Sequence, residues 1–220
     1  MADKNEIIKV IKSINKAVKK YKNPIVAEIG EKLNNPYKVL ISCLISLRTK
    51  DQVTAETSKR LFSKADTPEK MIKLSESQIG RLILPANYYK TKAKRIKEIS
   101  KILLKKYNGN VPKKREELMG LPGVGPKTSA IVMSYGHFDK NYIPVDVHVN
   151  RIPNRLGWIK TKTPEETEKA LMEIIPKNYW RMFNNNFVAF GQNICVPVSP
   201  FCSKCQVRNY CKRVNVKNSR

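Results

Sequence analysis

Residues 111–136 read VPKKREELMGLPGVGPKTSAIVMSYG. Two helical runs flank the short turn Leu121-Pro122-Gly123-Val124-Gly125. Glycine in such a turn permits a positive φ and lets another group approach the main chain closely. Pro126 opens the second run, where a missing N–H costs nothing. The first N–H groups of a helix have no partner within it, so this helix start, through Lys127 and Thr128, is a ready site for an anion such as phosphate. A plain turn between two helices is the bland alternative.

Outward from that turn, nearly every segment reads helical, and about ten helices fit before residue 195. No run of period-two alternation is bounded by hairpin turns. Ile7, Ile8, Ile11, Ile14 and Val18 follow helical spacing. Thr67-Pro68 and Thr163-Pro164 read as helix caps followed by proline at the first helical position. Asp51 is a candidate cap for a helix running from Gln52 to Phe62, and Asn108-Gly109 closes the lysine-rich run before it. That run, Lys90–Lys106, holds eight basic residues and one acid, Glu98, around an apolar stripe of Ala93, Ile96, Ile99, Ile102 and Leu103. Most of its lysines read as a solvated face, with a DNA groove as the alternative for some of the surplus. The expected fold class is all-α.

The charge points to a partner. Forty-three Lys and Arg stand against eighteen Asp and Glu, a net charge of +25 and an isoelectric point near 10.0. A surplus that large implies a polyanion, because each phosphate neutralised releases condensed counterions. The last twenty residues, Phe201–Arg220, carry six basic residues and no acid, and are a candidate for phosphate contact. No stretch reaches the roughly 18 apolar residues that span a membrane. The N-terminus lacks the apolar core of a signal peptide. An intracellular protein with no membrane partner is expected.

Five cysteines are present. Cys43 lies in the apolar run NPYKVLISCLISL and reads as a small buried core residue. The other four, Cys195, Cys202, Cys205 and Cys211, have the spacing C-x6-C-x2-C-x5-C. In a reducing compartment such a cluster points to metal. Four thiolates in a compact loop suit a 4Fe–4S cluster, and a structural zinc knuckle is the alternative.

Two further residues carry chemistry. Lys127 stands two residues beyond Gly125, at a helix start whose dipole disfavours positive charge and so favours the neutral amine. A neutral amine can attack a sugar C1′ and form a Schiff base. A lysine that only reaches phosphate is the alternative. Asp146, in YIPVDVHVNR, precedes a new helix and is a natural N-cap. A carboxylate can also stabilise positive charge on a sugar, or move a proton.

Taken together, LPGVGPKT, VDVH, Arg151-Ile152-Pro153-Asn154-Arg155-Leu156, Phe190-Gly191-Gln192 and the four cysteines resemble the endonuclease III family of helix–hairpin–helix DNA glycosylases. The resemblance runs from about Asn35 to Cys211. It implies two helical domains: a helical barrel at 29–139, and a cluster domain built from 1–28 and 140–220. It implies Lys127 as nucleophile, Asp146 as catalytic carboxylate, and a 4Fe–4S cluster on the four cysteines. It implies a bifunctional glycosylase and abasic-site lyase of base excision repair. Such an enzyme acts on damaged pyrimidines in double-stranded DNA as a monomer, in a prokaryotic cytoplasm and nucleoid or a eukaryotic nucleus. The hairpin residues Leu121, Gly123, Val124, Gly125 and Thr128, together with His148, then contact DNA. Tyr88 falls at the position of the wedge that fills the gap left by an extruded base.

The chain departs from the family pattern in two places. Arg48 stands where many relatives have glutamine beside the orphaned partner base, and an arginine donates but cannot accept. Val147 replaces the usual threonine after the catalytic aspartate. Pro153 is expected to kink its helix. A monofunctional mismatch glycosylase would lack a lysine at position 127. A non-enzymatic iron–sulfur DNA-binding protein would need neither Lys127 nor Asp146.

Overall fold

A computed structural model describes residues 3–21, 35–136 and 141–220 of the chain. Among these residues all regular structure is helical, with eleven α-helices before Cys195. No helix there is long and apolar enough to cross a membrane. The chain forms two compact units, one of Ile25–Asp139 and one of Met1–Pro24 with Lys140–Arg220. The boundaries expected after residues 28 and 139 lie outside the described residues.

The unit that contains the N-terminus opens with α1, Lys4–Val18. Its buried face is Ile7, Val10, Ile11, Ile14 and Val18. Ile8, expected in that stripe, is only half-buried. Val10 lies three residues from Ile7 and four from Ile14, on the side that faces its partner helix, whereas Ile8 sits on the flank.

The middle unit is built around α2, Pro36–Ser46, whose buried residues include Val39, Leu40, Ile41, Leu44 and Ile45. A helix apolar nearly all round belongs at the centre of a core. It packs against α3 (Asp51–Phe62), α6 (Tyr89–Tyr107) and α8 (Pro126–Ile131), which runs on into a π-turn at Val132–Gly136. Each Leu or Ile buried this way stabilises the fold by about 1.5–3 kcal/mol. Cys43 is buried among them, as its apolar setting implies. The short helices α4 (Pro68–Lys73), α5 (Glu76–Ile83) and α7 (Arg115–Met119) complete the unit.

The caps follow local chemistry. Thr67 Oγ1 accepts from Lys70 N, Ser75 and Gln78 form a reciprocal capping box, and Asn108 ends α6 in the left-handed region at φ 49°. Asp51 differs from expectation: it is the first residue of α3 and makes no cap, Lys50 taking that place. Inside the first turn its charge still complements the helix dipole.

In the terminal unit α1 packs on α11 (Trp180–Asn193), which also packs on α9 (Val147–Leu156), with α10 (Pro164–Ile174) against α9. Phe183 and Phe187 stack at 3.8 Å between ring centroids within that core. Thr163 caps α10 in a second capping box with Glu166. Pro153 stands inside α9 and does not end it.

Candidate active site and nucleic-acid interface

The hairpin sits between α7 and α8. Gly123 holds φ at +79°, and a Cβ there would meet the Arg95 side chain at 3.0 Å. Gly125 leads into α8 with no side-chain cap, and a Cβ on it would meet nothing within 4 Å. The two legs are tied by Arg115, whose Nε donates to Ser129 Oγ and whose Nη2 donates to the Pro126 carbonyl, both at 3.2 Å. Leu121, Val124 and Thr128 are buried, while Gly123 and Lys127 are exposed. Leu121, Val124 and Thr128 thus pack the hairpin from within, and its outer face is main chain. Lys127 is the second residue of α8, and its charge acts on the buried Cys43 thiol. Burial nevertheless pushes that thiol up to about 12.

Arg48 and Tyr88 stand on two loops of the same unit that touch. Both are left-handed, at φ 53° and 56°, and both are exposed. The Arg48 guanidinium lies 5.9 Å from the centroid of the Tyr88 ring. Non-glycine residues in that region cost roughly 1 kcal/mol or more each, so the surrounding contacts must hold them there. Asn87 Nδ2 donates to the Arg48 carbonyl, and Asn87 N donates to Thr49 Oγ1 at 3.2 Å.

In the terminal unit Asp146 caps α9: one carboxylate oxygen accepts from His148 N and Val149 N, each at 2.9 Å. Buried Ile143 and Val145, and Asn184 Nδ2 donating to the Pro144 carbonyl at 2.8 Å, fix the segment before it. Val147 is 70% exposed beside this carboxylate in the chain. His148 packs its ring on Gly191, and its Nδ1 lies 3.1 Å from Arg151 Nη2.

The four cysteines line one cavity of about 30 Å³, walled by apolar residues such as Ile152, Phe190 and Val207. Among the described residues no three of His, Cys, Asp and Glu stand close enough to hold one metal ion. Arg155, itself buried, donates to Cys195 Sγ at 3.4 Å and to the Val196 carbonyl at 2.7 Å. Arg151 donates to the Cys195 carbonyl at 2.7 Å. Burial pushes the Cys205 thiol up to about 11 and raises Cys211 as well, so a metal must displace protons from these sulfurs. The basic tail is partly engaged: Arg220 stacks on Phe201 at 4.2 Å and donates to the Ser199 carbonyl at 3.0 Å.

Residues 41–177 match the model of the HhH-GPD superfamily of base excision DNA repair proteins. Endonuclease III of Thermotoga maritima is 47% identical over 83% of this chain and 85% of its own length. The chain belongs to the endonuclease III family. Endonuclease III-like protein 1 of Bos taurus is 42% identical over 80% of the chain, which spans 58% of that protein. A solved endonuclease III–DNA covalent intermediate superposes with a TM-score of 0.84 at 33% identity, covering 97% of both chains. The all-α helix–hairpin–helix fold of endonuclease III is thus the fold of this chain.

Four engaged cations escaped sequence reasoning: Lys92 and Lys97 on α6, and Arg151 and Arg155 beside the cysteine loop. Lys92, grouped with the solvated lysines of α6, is 5% exposed. Lys97 also turns inward, its Nζ donating to the Leu74 carbonyl at 2.5 Å. A signal existed for the first: positions 92, 96, 99 and 103 share one helix face. The bonds from Arg151 and Arg155 to the cysteine loop left no signal, since their acceptors are mostly main-chain carbonyls.

Proposed function

We propose that this endonuclease III homologue removes damaged pyrimidines from double-stranded DNA and cuts the strand through a Schiff base on Lys127. The observation that carries this reading is the placement of Lys127, exposed on the first turn of α8 immediately beyond the Gly123–Gly125 turn. A relative trapped covalently on DNA supports a nucleophile on the enzyme. The neutral amine attacks C1′, and the C1′–N bond breaks as the base departs with its electron pair and gains a proton. The sugar ring opens to an iminium. Loss of a C2′ proton expels the 3′ phosphate, and water releases the lysine.

Asp146 supplies the catalytic carboxylate. Two main-chain N–H groups hold its side chain in one orientation. Its negative charge stabilises the cation that develops at C1′. Gly123 and Gly125 offer main-chain donors to a phosphate, and Arg48 and Tyr88 fill the space left by the extruded nucleotide. His148 supports Asp146 from α9. The net charge of +25 supplies the salt-dependent affinity for the duplex. A single chain carries all of these parts, so the enzyme works as a monomer wherever the cell keeps its DNA.

The four cysteines fit a 4Fe–4S cluster. The cysteines line a shared apolar cavity, and Arg155 donates to the sulfur of Cys195 at 3.4 Å. When bound, the cluster cross-links the loop.

Lys127→Gln tests the mechanism. Strand cleavage and the borohydride-trapped complex should both vanish, while binding to damaged DNA persists. Trapping at the unsubstituted yield would mean that another amine is the nucleophile.

A further inference from the structure

Lys92 touches both loops that carry the exposed left-handed residues. Its main-chain N–H donates to the Tyr88 carbonyl at 3.0 Å. Its Nζ donates to the Ile45 carbonyl at 2.6 Å, the Leu47 carbonyl at 2.7 Å and Thr49 Oγ1 at 2.8 Å. An ammonium has three N–H donors, and all three are used. All three acceptors are neutral oxygens. Two of them are carbonyls at the C-terminal end of α2, where a helix leaves its last carbonyls unpaired and carries partial negative charge. Thr49 Oγ1 is shared, since it also accepts from Asn87 N, and Asn87 in turn holds the Arg48 carbonyl.

A buried lysine with no carboxylate among these partners is an expensive way to close a helix end. A hydrophobic residue at 92 would extend the apolar face of Ala93, Ile96 and Leu103 without that cost. The bonds account for the difference. They span 43 to 47 residues of sequence and converge on the loop whose tip is Arg48, which Asn87 joins to the loop of Tyr88.

We propose that Lys92 is a positioning residue, a clasp that with Thr49 and Asn87 presents Arg48 and Tyr88 to the duplex as one preformed pair. The proposal rests on reading Arg48 and Tyr88 as the inserted pair. Their left-handed backbones are set before DNA arrives, so ordering is not required during base extrusion. The clasp therefore matters where a paired nucleotide must be displaced, and much less where the target is already unpaired.

The test compares single-turnover excision of an oxidised pyrimidine paired in a full duplex with excision of the same lesion in an unpaired bubble. For Lys92→Met the paired-to-bubble ratio of rates should fall at least tenfold. The fluorescence rise of 2-aminopurine beside the site, which reports unstacking, should shrink in the paired duplex. Lys92→Arg, which keeps donors in reach of the carbonyls, should recover part of the ratio. An equal loss on both substrates, or none, overturns the proposal. Should Lys92→Met fail to fold, Thr49→Val removes the shared acceptor and must lower the same ratio. Arg48→Ala and Tyr88→Ala separate the two readings. If neither changes the ratio, the inserted pair is wrong. If both do and Lys92→Met does not, only the clasp is wrong.

Discussion

The ring of His148 lies directly on the main chain of Gly191: a Cβ at 191 would stand 2.4 Å from Nδ1 and 2.9 Å from the histidine Cβ. The close end of the histidine cannot swing away, since its Cβ is fixed to α9. Arg151 bridges the same contact, donating to the Gly191 carbonyl at 3.2 Å. Gly191→Ala gains up to about 1 kcal/mol of helix propensity but forces α9 from α11, which costs about 1–3 kcal/mol. Net destabilisation should appear as a lower urea midpoint. An unchanged midpoint would mean that the helix pair yields freely.

Asp146→Asn separates charge from architecture. Asparagine Oδ1 can still accept from His148 N and Val149 N, so α9 stays capped and the melting temperature should hold. Turnover on damaged bases should fall by orders of magnitude, because the carboxylate charge is gone. Trapping on a pre-formed abasic site should persist, since that substrate needs no base departure. Asp146→Ala should in addition lose about 1 kcal/mol of stability with the cap. Full turnover in the asparagine variant would reduce Asp146 to a capping residue.

The cysteine loop predicts colour and iron. Protein purified without oxygen should be yellow-brown and hold about four irons per chain. Cys202→Ser should lower that content and loosen the loop to proteolysis. Stoichiometric zinc in protein from iron-replete cells would contradict the cluster.

Lys92 gives folding a pH response. Burial pushes its ammonium down to about 8, against about 10.4 for a free lysine. Between those values the unfolded chain holds more protons than the folded one. Stability therefore rises as pH climbs through that window, with a slope of at most about 1.4 kcal/mol per pH unit. Lys92→Met lacks this titration. Urea melts of both proteins from pH 7 to 10 should show unsubstituted protein gaining on the variant above pH 8. A constant gap would mean that Lys92 titrates as a free lysine.

Much of this was legible in the residues because the determining chemistry is local. Thr67-Pro68, Thr163-Pro164 and Asn108-Gly109 mark helix ends through bonds spanning a few positions. The hairpin and the cysteine spacing are contiguous too. What was not legible depends on distant partners. Lys92 looked solvated because its acceptors lie on another helix and are main-chain oxygens, which no sequence pattern marks. The left-handed φ of Arg48 and Tyr88 is held by Asn87 and Thr49 across some forty residues. Val10 displaced Ile8 because α11, and not the period of α1, chose the buried side.

Leu121, Val124 and Thr128 turn inward and leave Gly123 exposed, so the turn itself presents mostly backbone. Peptide dipoles and phosphates are both the same at every step of their polymers. A grip made from one upon the other has no alphabet. If the hairpin grips DNA as proposed, the enzyme would pause with equal ease over any stretch of a genome, as a patrol for rare damage requires. On that reading, whatever makes it stop would come from the nucleotide that yields, not from the sequence around it.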